Sequence, residues 1–166
     1  MQLKKWWSLL LFVIGLSIVL LYQYQKYRVA PGVDVFSLNY RDTSSREVNL
    51  NTYKGKKIIF SFWATWCGEC LAEMKQLNEA KKANLLDVEI IVASDEPIEV
   101  INSFIQRKKY PFTFLKLDKA FSEININAIP VNYLINRGGE VTYSKVGVIN
   151  WKDNSAISFA EENLKQ

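Results

Sequence analysis

Histidine is absent from this chain of 166 residues, and cysteine occurs only twice, as Cys67 and Cys70. Without histidine, the chain has no Ser-His-Asp triad, no Cys-His nucleophile pair and no histidine-ligated metal site. Two cysteines alone do not complete a four-ligand zinc site, and Leu71 follows Cys70, which excludes haem attachment through C-x-x-C-H. We therefore expect neither a metal ion nor an organic cofactor.

A basic surface is also lacking outside the first 30 residues. The formal net charge of +4 comes entirely from Lys4, Lys5, Lys26 and Arg28, because the first 30 residues contain no acidic side chain. The rest of the chain carries no net charge, whereas a nucleic-acid-binding domain is expected to carry a basic stripe on its folded part. We expect no nucleic-acid partner. The length suits one domain, and an apolar content of 49% excludes a disordered chain.

Residues 6–22 form a long apolar run. As a helix, this run spans about 26 Å, close to the hydrocarbon thickness of a bilayer. Tryptophans lie at its start and tyrosines at its end, as is typical of membrane interfaces. The pattern predicts an uncleaved membrane anchor over residues 1–28, a tether over residues 29–45 and a folded domain over residues 46–166.

A cleaved signal peptide is the alternative for this segment, since Lys4 and Lys5 form a short basic region before the apolar run. The run is longer than the apolar region of most signal peptides, and no small-x-small cleavage site follows it, which favours the anchor. Basic residues lie on both sides of the run, so charge alone leaves the orientation open.

Apolar periodicity in the rest of the chain alternates between strand and helix. The predicted elements are a strand over 58–63, a helix over 67–84, a strand over 88–93, a helix over 97–109, a strand over 112–117, a hairpin of 131–135 and 141–146, and a helix over 154–164. Strands that alternate with helices and end in a hairpin predict an α/β sandwich with a mixed sheet.

Cys67 and Cys70 lie three residues apart, directly after a predicted buried strand and at the start of a predicted helix. This spacing places both sulfur atoms on one helical turn, close enough to form a disulfide. Unpaired N–H groups and the helix dipole stabilise a thiolate at Cys67, which predicts the nucleophile of thiol–disulfide exchange, with Cys70 as the resolving cysteine. The alternative is a pair of inert buried cysteines.

Residues 61–70, with the sequence S-F-W-A-T-W-C-G-E-C, resemble the F-W-A-T-W-C-x-x-C signature of the thioredoxin-like TlpA/ResA group. Residues 49–56 and 129–139 are similar to two further stretches of that group, so the resemblance covers roughly residues 46–150. It implies a thioredoxin-like three-layer α/β/α sandwich with a mixed central sheet, preceded by one N-terminal transmembrane helix.

Members of this group are typically tethered to the membrane on its extracytoplasmic side and exchange disulfides with other proteins. The resemblance therefore implies a single-pass protein of the bacterial cytoplasmic membrane with its domain on the periplasmic side. It also implies client proteins with disulfides as partners and a transmembrane thiol electron donor, as in relatives that serve cytochrome c maturation.

Two other functions are alternatives to a thiol–disulfide oxidoreductase. A thiol peroxidase of the related peroxiredoxin type needs a cysteine in a P-x-x-x-T-x-x-C setting, which residues 60–67 do not offer. A non-catalytic thioredoxin-like binding or assembly module would not need both cysteines, and this chain has both.

Glu73 matches the glutamate of the group's C-x-x-C-x-x-E pattern. Its spacing places it on the helix face of Cys70, where a shielded carboxylate could take the thiol proton. The alternative is an ordinary helix glutamate that faces solvent. Two departures from the group nearby are Lys75, where relatives often have proline, and Glu69, whose charge opposes thiolate formation and favours a more reducing cysteine pair.

Pro130 opens the first strand of the predicted hairpin. The resemblance implies a cis Ile129–Pro130 bond near Cys67, which leaves the Ile129 backbone to pair with a client peptide. From the residues alone, a trans proline at a strand start is favoured. Asn132 departs from the group, in which threonine usually follows the proline. Trp66 is a candidate for an exposed client-docking side chain.

Overall fold

The computed structural model describes residues 2–26 and 32–165. Its helices are α1 (Gln2–Lys26), α2 (Gly68–Ala83), α3 (Ile98–Lys108) and α4 (Asn154–Asn163), and its 3-10 helices are η1 (Val35–Ser37), η2 (Leu50–Tyr53) and η3 (Phe121–Ile124). Its strands are β1 (Tyr40–Arg41), β2 (Glu47–Val48), β3 (Lys57–Phe62), β4 (Val88–Ser94), β5 (Thr113–Leu117), β6 (Val131–Ile135) and β7 (Val141–Val146). Every element predicted beyond residue 46 is confirmed, with ends that shift by a few residues at most.

The seven strands form one mixed sheet in the order β2-β1-β5-β4-β3-β6-β7. The strands β3, β4 and β5 run parallel, as expected where a helix connects consecutive strands. The strand β6 runs antiparallel to β3, with Phe60 opposite Tyr133, and β7 returns beside β6 as a hairpin. The central position of β3 places its carboxyl end, where the cysteines follow, between β4 and β6.

Strand residues alternate between two apolar clusters, one on each face of the sheet. The first cluster includes Trp63 and Met74 and is covered by α2, α3 and α4 together. The second includes Phe60 and is covered by the 3-10 helices, through residues such as Val35 and Leu50. Among the described residues, α2, α3 and α4 therefore all lie on one face of the sheet. The α/β/α layering expected from the resemblance is corrected to one helical layer and one layer of 3-10 helices and loops.

The predicted tether over residues 29–45 also needs correction. Residues 27–31 lie outside the described residues. From η1 onward the segment is part of the domain, because Val35 and Tyr40 are each 1% exposed and β1 pairs with β5. The Tyr40 hydroxyl donates to the carbonyl oxygen of Val35 at 3.0 Å, which holds this segment against the sheet. The polar run between β1 and β2 forms a tight turn rather than a linker.

The predicted anchor corresponds in part to α1. Within residues 2–26 and 32–165, no helix meets the combined length and hydropathy of a membrane span.

Candidate active site

Cys67 and Cys70 form a disulfide at the start of α2, with their Cα atoms 5.3 Å apart. Cys67 is the N-cap residue of the helix, in extended backbone conformation, and its Sγ accepts a hydrogen bond from the backbone N of Cys70 at 3.1 Å. Cys67 is 7% exposed and Cys70 is 1% exposed. The first cysteine therefore lies at the surface end of the pair and at the positive end of the helix dipole.

The loop between β3 and α2 is held by an acidic side chain from the loop that follows β4. Glu96 accepts hydrogen bonds from the backbone N and from the hydroxyl of Thr65, each at 2.6 Å. The Ser94 hydroxyl donates to the same carboxylate at 3.1 Å. These charge-assisted bonds fix the chain two residues before the first cysteine.

The Ile129–Pro130 peptide bond is cis, as the resemblance implied. The carbonyl oxygen of Ile129 lies 3.8 Å from Sγ of Cys67, so the proline loop faces the first cysteine. Gly147 donates its backbone N–H to the carbonyl oxygen of Pro130 at 2.8 Å, which ties this loop to the chain after β7.

Trp66 is 72% exposed, whereas Trp63 is fully buried in the core. Beside Trp66 lies an apolar groove of about 440 Å³, which is lined also by Phe121, Ile126, Asn127, Ala128 and Ile129. A larger groove of about 710 Å³ borders β1 and β2 but contains neither cysteine. No cysteine lines the Trp66 groove either, but two of its lining residues adjoin the disulfide, because Trp66 precedes Cys67 in the chain and the Ile129 carbonyl lies 3.8 Å from Cys67 Sγ.

Glu73 is buried, at 3% exposure, which excludes the solvent-facing alternative. Its Oε1 accepts hydrogen bonds from the backbone N of Ile149 at 2.8 Å, from Asn132 Nδ2 at 3.0 Å and from Trp151 Nε1 at 3.2 Å. Burial raises the pKa of this carboxyl to about 7, although the three donors and the nearby Lys145 ammonium act in the opposite direction. A group with such a pKa can exchange a proton at neutral pH.

The sequence placed Glu73 on the cysteine helix but did not identify its partners. Ile149 and Trp151 lie in the loop after β7, and Asn132 was noted only as a departure from the group. All three are more than 50 residues from Glu73 along the chain, so no local spacing signals the contact. Glu96 lies 31 residues from Thr65 along the chain, and no local spacing signals that contact either. Lys75 lies exposed within α2, which continues past it.

A mixed sheet with a cis proline loop opposite a C-x-x-C pair at a helix N-terminus defines a thioredoxin-like protein. Residues 30–162 match the Redoxin family, and the chain belongs to that family. The thiol-disulfide oxidoreductase ResA of Geobacillus kaustophilus (strain HTA426) is 30% identical over 151 residues, which cover 87% of this chain and 85% of the relative. The thioredoxin-like protein YneN of Bacillus subtilis (strain 168) is 27% identical over 162 residues, which cover 92% of this chain and 95% of the relative.

Solved structures agree on the fold. StoA from Bacillus subtilis superposes with a TM-score of 0.56 at 23% identity, over 77% of this chain and 99% of StoA. A thiol:disulfide interchange protein from Bacteroides sp. superposes with a TM-score of 0.63 at 22% identity, over 81% of this chain and 89% of that protein. The resemblance to the TlpA/ResA group is confirmed, and the chain is a thiol–disulfide oxidoreductase of the ResA type that acts through a C-x-x-C pair. Disulfide-containing client proteins follow from that class.

Proposed function

We propose that this oxidoreductase reduces disulfides of client proteins on the extracytoplasmic side of a bacterial membrane, with Cys67 as the attacking cysteine and Cys70 as the resolving one. The observation that carries the proposal is the Cys67–Cys70 disulfide across the first turn of α2. The helix N-terminus stabilises a Cys67 thiolate, and the greater exposure of Cys67 gives a client access to it.

The reaction transfers two electrons from the cysteine pair to the client disulfide. The Cys67 thiolate attacks one client sulfur, which forms a mixed disulfide and releases the other client sulfur as a thiolate. The Cys70 thiol then loses its proton to the Glu73 carboxylate, and the resulting thiolate attacks the Cys67 sulfur. The Cys67–Cys70 disulfide forms, and the second client sulfur leaves as a thiolate that takes up a proton. A membrane thiol donor reduces the pair again by the same exchange.

Trp66 and the cis proline loop supply the proposed docking surface. The apolar groove beside Trp66 accepts an apolar client side chain next to the attacked disulfide. The Ile129 carbonyl, 3.8 Å from Sγ of Cys67, is placed to accept a backbone hydrogen bond from an extended client segment.

Insulin reduction by the full-length protein tests the activity. We expect reduced wild-type protein to reduce insulin, and Cys67→Ser to abolish the reaction. Cys70→Ser should accumulate a mixed disulfide instead of completing the exchange. Efficient peroxide consumption without insulin reduction would favour a thiol peroxidase, and inactivity of the wild type towards both would favour a binding module.

The proposed direction is reductive because Glu69 and Glu73 place two carboxylates near the cysteine pair. Negative charge disfavours the thiolate, and a less stabilised thiolate makes the reduced form a better electron donor. We expect a reduction potential nearer to about −270 mV, as in thioredoxin, than to about −120 mV, as in DsbA. Equilibration in glutathione or dithiothreitol buffers measures it, and a value above about −150 mV would indicate an oxidase.

The proposed membrane anchor is the apolar run of residues 6–22, and the proposed topology places the domain outside the cytoplasm. The support is the length of the run, its aromatic ends and the lack of a cleavage site after it. A role in cytochrome c maturation is part of the same proposal. Protease added to spheroplasts should digest the domain, whereas full protection would contradict the topology and a mature N-terminus near residue 30 would contradict the anchor.

A further inference from the structure

The two oxygens of the Glu73 carboxylate have unequal surroundings. Oε1 accepts three hydrogen bonds, from Ile149 N, Asn132 Nδ2 and Trp151 Nε1. Oε2 accepts one, at 3.2 Å, from the same Asn132 amide nitrogen. A carboxyl proton on Oε1 would displace one of three donors, so Oε2 is the oxygen with room for a proton.

The orientation of the Asn132 amide is set by a second contact. Asn132 is 1% exposed, and its Nδ2 also donates to the carbonyl oxygen of Gly147 at 3.2 Å. A flipped amide would place Oδ1 against both the Gly147 carbonyl and the Glu73 carboxylate, where oxygen faces oxygen. Gly147 itself has a φ of 97°, a left-handed backbone that favours glycine, and its N–H is bound to Pro130. The amide therefore presents hydrogen atoms, not its oxygen, to Glu73.

Every described hydrogen-bond partner of Glu73 is consequently a donor, and donors stabilise the carboxylate. The groups that act on Glu73 are Asn132 in β6, Lys145 in β7, and Ile149 and Trp151 in the loop after β7. Cys67 and Cys70 lie at the start of the same helix, and they are titratable thiols only in the reduced protein. Lys145 donates to the Val148 carbonyl at 2.8 Å. These interactions oppose the burial that raises the pKa of Glu73 to about 7.

We propose that Asn132 and Trp151 are positioning residues of the disulfide exchange. They hold Glu73 by Oε1 and stabilise its ionised form, so that the carboxylate is available to take the Cys70 proton at neutral pH. This inference rests on the proposed proton transfer from Cys70 to Glu73. Neither side chain is part of the cysteine motif, and both reach Glu73 only through the fold.

The test is the pH dependence of the resolving step in a single turnover. Reduced full-length protein is freed of reductant and mixed with glutathione disulfide, and the release of the second glutathione molecule is followed by rapid quench from pH 5.5 to 9. In the wild type this rate should rise with an inflection where Glu73 loses its proton. Removing one donor to a carboxylate should move the inflection upward by about one pH unit.

Trp151→Phe is the cleanest variant, because it removes the Nε1 donor and keeps an aromatic ring. Asn132→Leu removes the amide and is a second, independent test should one of the two variants fold poorly. Trp63→Phe is the matched control: Trp63 is also fully buried, but its Nε1 donates to no group within the described residues. The control should leave the inflection at the wild-type pH.

The Glu73→Gln background separates the inference from the proposed function. We expect Glu73→Gln to remove the inflection, and Trp151→Phe to leave the pH–rate profile of that background unchanged. If Glu73→Gln removes the inflection but Trp151→Phe and Asn132→Leu leave it within 0.3 pH units (about a twofold change in proton affinity) of the wild type, the positioning role is wrong and the proposed function stands. If the inflection survives in Glu73→Gln, the proton transfer and the positioning role both fail.

Discussion

The buried carboxyl of Glu73 should make the oxidised protein less stable as the pH rises through neutrality. Burial raises the pKa of Glu73 from its usual 4.5 to about 7 in the folded state. A raised folded-state pKa contributes stability that is complete below about pH 4.5 and is lost as the pH rises through about 7. The shift corresponds to about 3 kcal/mol of unfolding free energy.

Glu73→Gln isolates this effect, because glutamine keeps the shape of the side chain and does not titrate. Urea unfolding of the oxidised full-length protein, followed by tryptophan fluorescence, gives the unfolding free energy at pH 4 and pH 8. We expect the stability of the wild type relative to Glu73→Gln to fall by about 3 kcal/mol between these two values. The disulfide keeps both cysteines from titrating over this range.

Glu69→Gln is the matched control, since Glu69 lies exposed on the same helix. Its stability relative to the wild type should change far less between pH 4 and pH 8. A constant difference between wild type and Glu73→Gln would refute the reasoning. A difference of the opposite sign would show that the three hydrogen-bond donors outweigh burial.

Three further predictions concern groups around the site and at the far end of α2. Lys81 donates to the carbonyl oxygens of Leu85, Leu86 and Val88. Lys81→Met should therefore lower the unfolding free energy in urea by about 1–2 kcal/mol. Lys82 is exposed, so Lys82→Met should change the unfolding free energy little. Thr65→Val removes a 2.6 Å hydrogen bond to the Glu96 carboxylate and should lower the unfolding free energy by about 1–2 kcal/mol. Thr142→Val removes a 3.2 Å hydrogen bond to the Leu134 carbonyl and should lower it by less. Glu69→Gln should make the reduction potential more oxidising, by tens of millivolts at most, in glutathione equilibration.

Each of these predictions has a contradicting result. Equal losses for Lys81→Met and Lys82→Met would show that the Lys81 contacts add nothing measurable. Equal losses for the two threonine variants would mean that Glu96 does not fix the loop before Cys67. A more reducing potential in Glu69→Gln would show that its charge does not oppose the Cys67 thiolate.

The order of strands and helices could be predicted from the sequence because it depends on local patterns. The strand over 57–62 is an apolar run, the hairpin strands flank a glycine-containing turn, and the cysteine helix carries apolar residues at helical spacing. The pair of two-residue strands could not be predicted in this way. Arg41 and Glu47 make β1 and β2 look polar, and only burial of Tyr40 against the sheet reveals that the segment belongs to the domain.

In the candidate site too, the features that depend on local spacing could be predicted from the sequence, and those that depend on strand register could not. The cysteines lie within one helical turn, so their pairing follows from spacing alone. The environment of Glu73 depends on strand register, which brings Asn132 of β6 and the loop after β7 under the cysteine helix. The prediction of helices on both faces of the sheet was wrong for a related reason. The crossovers from β3 to β4 and from β4 to β5 are consecutive, right-handed and proceed in one direction across the sheet. They therefore place α2 and α3 on the same face.

The assignment of Cys67 as the attacking cysteine is tested most directly by the mass of a trapped intermediate. Reduced Cys70→Ser and Cys67→Ser, each full-length, are mixed with glutathione disulfide at pH 7, and the mixed disulfide is quantified over time by intact-protein mass spectrometry and located by peptide mapping. The account predicts rapid glutathione attachment at Cys67 in Cys70→Ser and slow attachment in Cys67→Ser, because Cys70 is 1% exposed and lies inside the helix. Faster attachment at Cys70 would contradict it.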